Sequence, residues 1–169
     1  MVIIPNTNST TVSEIWDILR EVPDPEVPVL SVVDLGIIRH VEVTKNSVEI
    51  TITPTYSGCP AMKTIEDDIV FILKKKGIPA VKIISILSPA WTTDWISEEA
   101  KEKLRKYGIA PPGKTTTDKG VLSGKTLVIP CPICSSSHTE LISQFGSTAC
   151  KALYRCLDCK EPFDYFKCH

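Results

Sequence analysis

Two Cys-x-x-Cys pairs, Cys131-Pro132-Ile133-Cys134 and Cys156-Leu157-Asp158-Cys159, lie about twenty residues apart near the end of a 169-residue chain. That spacing gathers four thiolates around one ion. A segment this short cannot bury enough apolar surface to fold alone, so metal binding would supply much of its folding free energy. The expectation is a metal-bound β-ribbon over residues 126–169. Zinc is the first choice; iron would use the same four thiolates, and the sequence does not separate them. Scattered buried thiols are the alternative, which leaves the doubled spacing unexplained. A site closed by four protein ligands has no open position for a substrate, so function must be sought partly elsewhere.

Upstream there is room for one compact domain, and 43% hydrophobic with 23% charged residues describes an ordinary globular protein. Lys and Arg number 19 against 20 Asp and Glu. A nucleic-acid-binding domain usually carries a basic surplus to neutralise phosphates, so this balance disfavours such a partner. The first residues, Met1 to Ser9, hold neither a basic n-region nor a long apolar stretch, so no signal peptide and no membrane span is read. Seven cysteines, four of them at metal-ligand spacing, point to a reducing cytoplasm rather than a disulfide framework.

Thr11-Val12-Ser13-Glu14 is a capping box that opens a first helix, with an apolar face at Val12, Ile15, Trp16, Ile18, Leu19 and Val22. Pro23, Pro25 and Pro28 then forbid helix and impose an extended or turning segment. Two strands follow, one with Val41 and Val43 on a face and one with Val48, Ile50 and Ile52, joined by a turn at Lys45-Asn46-Ser47. A second helix is expected from Pro60 to Lys76, stopped by Gly77 and Pro79. The β-branched run Val81 to Leu87 reads as a third strand. Ser97 caps a short helix with Glu98 and Glu99 in its first turn and Lys103, Arg105 and Lys106 in its last, ended by Gly108. The fold class is α+β: a small three-stranded sheet with helices packed on one face, plus the metal-bound ribbon. The Pro-, Gly- and Thr-rich stretch from Ala110 to Lys125 reads as a linker, giving domains over 1–109 and 126–169.

One further cysteine has a distinctive setting. Pro60 suits a first helical position, which puts Cys59 at the N-cap, where the helix dipole and unpaired N–H groups favour a thiolate able to bind metal or attack electrophiles. Gly58 lets a ligand come close. The alternative is that Cys59 plugs the helix–sheet junction as a small hydrophobe. No His lies nearby in sequence to serve as a base, so a cysteine hydrolase is a weak reading. Lys74, Lys75 and Lys76 complement a helix end, Trp91 and Trp95 cover a sheet edge or a partner, and His40 and His138 have no companion at ligand spacing.

The blocks Asp24-Pro25-Glu26-Val27-Pro28, Asp34-Leu35-Gly36 and Thr53-Pro54-Thr55-Tyr56-Ser57-Gly58-Cys59-Pro60 resemble the signature of a small iron–sulfur assembly domain. Leu87-Ser88-Pro89-Ala90-Trp91-Thr92-Thr93-Asp94-Trp95-Ile96, with the tail Phe145 to Lys151 and Glu161 to His169, resembles the PaaD family, the D component associated with phenylacetyl-CoA epoxidase. The resemblance runs from about Val12 to the C-terminus. It implies an accessory subunit in aerobic phenylacetate degradation that matures an iron or iron–sulfur centre of the epoxidase. Carried over by position, Cys59 contacts iron or a transient cluster, and Asp24, Glu26 and Asp34 either join it or cap turns. Cys150, Cys168 and His169 belong to the tail pattern and are weaker metal candidates. The implied partners are the oxygenase and reductase subunits of the epoxidase and the iron–sulfur assembly machinery; a homodimer is left open. The competing functions are electron transfer or docking through iron at the four-cysteine site, and a zinc-ribbon module for nucleic acid, which the charge balance disfavours.

Overall fold

The computed structural model describes residues 10–44, 47–56, 58–113 and 128–167. Lys45, Asn46, most of the expected linker, Cys168 and His169 lie outside the described residues. The chain divides into two units, residues 1–91 and 92–169.

The first unit follows the sequence pattern closely. Helix α1 (Val12–Leu19) opens on the expected capping box, with Thr11 N donating to Glu14 Oε2 at 2.7 Å and Glu14 N to Thr11 Oγ1 at 3.3 Å. It buries Ile15 and Leu19, whereas Val12 stays exposed. Strand β1 (Ile38–Val43) pairs antiparallel with β2 (Val48–Ile52), and β2 pairs parallel with β3 (Val81–Ser85), so β2 is central. Alternation along β2 buries Val48, Ile50 and Ile52 on one face and leaves Glu49 and Thr51 half-exposed on the other, as expected of a sheet covered on one side. Helix α2 (Ala61–Lys75) crosses from β2 to β3 and faces inward with Ala61, Ile65, Ile69 and Leu73. Its C-terminus is a Schellman motif: Gly77, at φ 90°, donates to the Lys74 carbonyl at 3.0 Å and Ile78 to the Leu73 carbonyl at 2.9 Å. Buried Ile78 and Leu73 supply the apolar contact that accompanies this motif. The third strand is two residues shorter than the reading to Leu87, which is exposed.

The proline-rich segment is a compact turn rather than an extended arm. Asp24 Oδ1 accepts from Glu26 N at 2.9 Å and Val27 N at 2.7 Å, while Asp24 N donates to the Leu30 carbonyl at 2.8 Å. Ser31 and Asp34 cap each other, Ser31 N donating to Asp34 Oδ2 at 3.0 Å and Asp34 N to Ser31 Oγ at 3.1 Å. These bonds satisfy the backbone while Val27, Leu30, Val32 and Leu35 enter the core.

The second unit begins earlier than the composition shift indicates. A 3-10 turn (Thr93–Trp95), helix α3 (Glu98–Lys106) and β4 (Ile109–Ala110) all belong to it, whereas the sequence reading puts 92–109 in the first domain. The reason is a non-local pairing: β4 lies parallel to β7, with Ile109 opposite Asp164 and Ala110 opposite Tyr165. The ribbon is thus part of a four-stranded sheet in the order β4-β7-β6-β5, where β5 is Thr139–Ser143, β6 is Lys151–Cys156 and β7 is Pro162–Phe166. Its core gathers Ala110, Ile129, Ala152, Tyr154, Phe163 and Tyr165 together with Cys131 and Cys156. No helix among the described residues is long and apolar enough to cross a membrane.

Candidate metal centre and the Cys59 loop

Each Cys-x-x-Cys pair forms a knuckle, and the two knuckles have the same backbone plan. Cys131 N donates to the Ser136 carbonyl at 2.9 Å and Cys156 N to the Glu161 carbonyl at 3.0 Å, each five residues on. The residue after the second cysteine of each pair, Ser135 and Lys160, takes positive φ, 62° and 68°. This left-handed step turns the chain back on itself at a conformational cost that only a demanding geometry sustains. Strand β6 ends at Cys156, and the turn that follows leads through Cys159 into β7, so the sheet delivers the second knuckle to the first.

The result is four sulfurs within 4.8 Å of one another. Cys131 Sγ lies 3.8 Å from Cys159 Sγ and Cys134 Sγ 3.5 Å from Cys156 Sγ, both pairs spanning the two knuckles. A disulfide needs about 2.05 Å, whereas a tetrahedral ion with bonds of about 2.3 Å to sulfur places its ligands about 3.8 Å apart. The spacing therefore fits a four-coordinate thiolate site. Backbone N–H groups of Cys159 and then Asp158 hold the Cys156 thiol down to about 6. The Glu161 N–H acts likewise on Cys159, but burial and the neighbouring thiols of Cys156, Cys134 and Cys131 outweigh it and push that thiol up to about 12. Crowded sulfurs behave this way because ionising one disfavours ionising the next, and a bound dication reverses the penalty.

Around the sulfurs is a polar clasp that the sequence did not reveal. Ser136 Oγ donates to Asp158 Oδ2, His138 Nδ1 lies 3.1 Å from Asp158 Oδ1, and His138 N donates to Ser136 Oγ at 3.0 Å. His138 thus has a companion after all: a carboxylate inside the opposite knuckle, twenty residues away in the chain and visible only once the knuckles meet. A second missed group surrounds Gly146. A Cβ there would stand 2.7 Å from Asp164 Oδ1 and 3.2 Å from Lys151 Cβ. Lys151 is buried, and its Nζ donates to Ser147 Oγ at 3.1 Å. Cys150 is also buried, 3.1 Å from Thr148 Oγ1, and does not belong to the four-sulfur group.

In the first unit, Cys59 is half-buried on the loop between β2 and α2, at the end of the sheet where the parallel strands β2 and β3 terminate. Pro60, rather than Cys59, occupies the N-cap, with helical dihedrals and no side-chain cap bond; Cys59 stands one residue before it. The chain turns tightly here, Cys59 N donating to the Tyr56 carbonyl and Met62 N to the Cys59 carbonyl, both at 3.2 Å. Gly58, exposed at φ 79°, would have nothing within 4 Å of an added Cβ, so the approach to the loop is open and only its left-handed backbone favours glycine. At the start of the same loop, Thr53 is 1% exposed and its hydroxyl has no hydrogen-bond partner among the described residues. Asp24 and Asp34 use carboxylate oxygens in the turn bonds described above, and Glu26 is half-buried beside them.

The fold and site define a two-part protein: a small α+β domain followed by a four-cysteine β-ribbon. The model of the iron–sulfur cluster assembly protein family matches residues 13–86, and that of the PaaD zinc beta ribbon domain matches residues 115–167. A protein of Escherichia coli K12, named as the D component of a "Putative 1,2-phenylacetyl-CoA epoxidase", is 49% identical over 157 residues, covering 93% of each chain. The chain belongs to this PaaD family. A "Fe-S protein maturation auxiliary factor" of Porphyromonas gingivalis is 41% identical over 56% of this chain and 90% of its own. The solved DUF59 domain of Bacillus anthracis has the same fold over 54% of this chain and 89% of its own, with 27% identity and a TM-score of 0.52.

Proposed function

We propose that this chain is a non-catalytic, cytoplasmic maturation factor of a phenylacetyl-CoA epoxidase, delivering iron or an iron–sulfur cluster to one of its metal centres. The observation that carries the reading is Cys59, partly accessible on an open loop at the strand ends and separate from the four ribbon cysteines. A thiol so placed can take up a soft metal and release it, because its loop, Thr53 to Pro60, offers no second thiol or imidazole to close a full ligand shell. The buried Thr53 hydroxyl, unpartnered among the described residues, adds a polar group to the same loop. Asp24 and Asp34 shape their own turns in this reading. Maturation chemistry is also what the names of the related P. gingivalis factor and of the matching domain family describe.

The ribbon carries zinc in this reading and docks the chain on the oxygenase or reductase. Electron transfer through ribbon-bound iron is the second reading, because the same tetrahedral sulfur set suits iron. Metal analysis separates them: colourless, zinc-loaded protein removes electron transfer through that site. The test of the main reading is Cys59→Ala, expressed with the epoxidase in cells lacking the wild-type chain. The expected result is oxygenase or reductase deficient in iron while the variant itself melts as the wild type does. Wild-type iron loading with Cys59→Ala would make this thiol a packing residue.

A further inference from the structure

The four ribbon cysteines are not equivalent. Cys131 and Cys156 are buried and Cys159 is half-buried, whereas Cys134 is exposed. Cys134 sits at the tip of its knuckle between exposed Ile133 and exposed Ser135, where the left-handed step at Ser135 reverses the chain. Its sulfur is also the nearer of the two cross-knuckle contacts, 3.5 Å from Cys156 against 3.8 Å for Cys131 and Cys159. One partner is therefore open to a small reagent, and the other is shielded yet within reach of it. The clasp of Ser136 and His138 on Asp158 links the two knuckles that carry the pair.

We propose that Cys134 and Cys156 form an oxidant-reactive dithiol, through which a hydroperoxide opens the metal site. The inference rests on the metal-bound reading of the ribbon. The Cys134 thiolate attacks one oxygen of hydrogen peroxide; the O–O bond breaks, a proton is taken up, water leaves, and the sulfur becomes a sulfenic acid. The Cys156 thiolate then attacks that sulfur, forming the S–S bond and expelling the hydroxyl as a second water with a further proton. Two thiolates, one peroxide and two protons give one disulfide and two waters, the sulfurs losing two electrons to the peroxide oxygens. Closing the pair from 3.5 Å to a bond of about 2.05 Å needs a shift that the exposed knuckle tip can supply. Cys131 and Cys159 alone are too few to retain the ion, so oxidation releases it and loosens the core built around Cys131 and Cys156. A thiol reductant restores the site. Cys150 is buried outside the group and takes no part.

The full-length protein, loaded with zinc and assayed for zinc content, is treated with equimolar hydrogen peroxide. Released zinc is followed with a chromophoric chelator, and the disulfide is mapped by alkylation and mass spectrometry. The expected result is zinc release accompanied by a Cys134–Cys156 disulfide, both reversed by dithiothreitol. Cys134→Ser should slow oxidation of the ribbon thiols at least about tenfold, while Cys150→Ser, outside the four-sulfur group, still forms the Cys134–Cys156 bond. Zinc retained through excess peroxide, a disulfide mapped to Cys131–Cys159 or within one knuckle, or unchanged oxidation of Cys134→Ser would each overturn the proposal. Protein that takes up no zinc at the outset defeats the metal-bound reading alone, since disulfide mapping still decides between the pairs.

Discussion

The two units solve the same problem with different materials. The first buries a continuous aliphatic core, with Ile15, Leu19, Leu30, Leu35, Ile37, Ile50, Ile52, Ile65, Ile69 and Leu73 all essentially inaccessible. The ribbon core is smaller and built around aromatic rings and thiols: Tyr154 stacks on Phe163 at 5.9 Å and meets Tyr165 edge-on at 5.8 Å, in one cluster with Cys131, Cys156, Ala110, Ile129 and Ala152. Burial of aliphatic area is spread over many residues and tolerates the loss of any one only at a graded cost. A metal site concentrates stability in four atoms, and losing one is close to losing all. The difference teaches where each unit can carry a labile function: the aliphatic unit can expose Cys59 on a loop without risking its fold, while the ribbon's accessible cysteine is one of the four sulfurs that a metal ion there would need.

The largest expected effect tests this contrast directly. Stripping the metal with a strong chelator, or replacing Cys131 with Ser, should unfold the ribbon, since structural thiolate sites contribute on the order of 10 kcal/mol to small modules. Limited proteolysis with mass mapping should then cut up to about residue 92 and spare the residues before it, because α3 and β4 belong to the second unit. Cleavage confined to positions after Ala110 would restore the boundary read from composition. Conversely, Ile50→Ala, at a fully buried position of the central strand, should cost the first unit about 2–5 kcal/mol in denaturant unfolding and leave the metal content of the ribbon unchanged.

A smaller effect is expected from Gly146→Ala. The new Cβ would meet Asp164 Oδ1 and the Lys151 backbone region, so the ribbon should lose about 1–3 kcal/mol, read as a lower melting temperature with metal still bound. A melting temperature equal to wild type would mean that the Asp164 side chain simply swings aside. Smallest is Asp158→Asn. The clasp is exposed, so chelator-driven metal release should accelerate by less than about fivefold. The Asp158 carboxyl is held below its ordinary 3.8 by the Ser136 hydrogen bond first and the His138 bond second. A depressed carboxyl contributes stability above its unfolded pKa and loses it as pH falls through the lower folded value, so the Asp158 contribution should be constant from about pH 7 to 5 and fade below about 4. Release rates that differ between wild type and variant only above pH 6 would assign the clasp to another group.

Local chemistry was legible to the residue in several places. The Thr11 capping box, the Gly77 stop of α2, the alternation of β2 and the paired cysteines each act over a few residues, where backbone geometry and side-chain type leave few choices. Cys59 was legible as a candidate, with its helix start displaced by one residue. The carboxylates of Asp24 and Asp34 read equally well as ligands or as turn caps in one dimension, and only the observed N–H bonds give them their turn roles.

What the sequence by itself determined is therefore the three helices, the three strands of the first sheet, the paired cysteines and the family, all of which rest on short-range spacing. The tertiary structure alone decided where the chain divides, because a two-residue strand such as Ile109–Ala110 carries no periodicity and acquires its identity only by pairing with β7. It also decided which cysteine of the four faces outward, which carboxylate meets His138, and why residue 146 must lack a side chain. Each of these depends on atoms brought together from distant positions, and contact across a fold is a property of packing that no local pattern encodes.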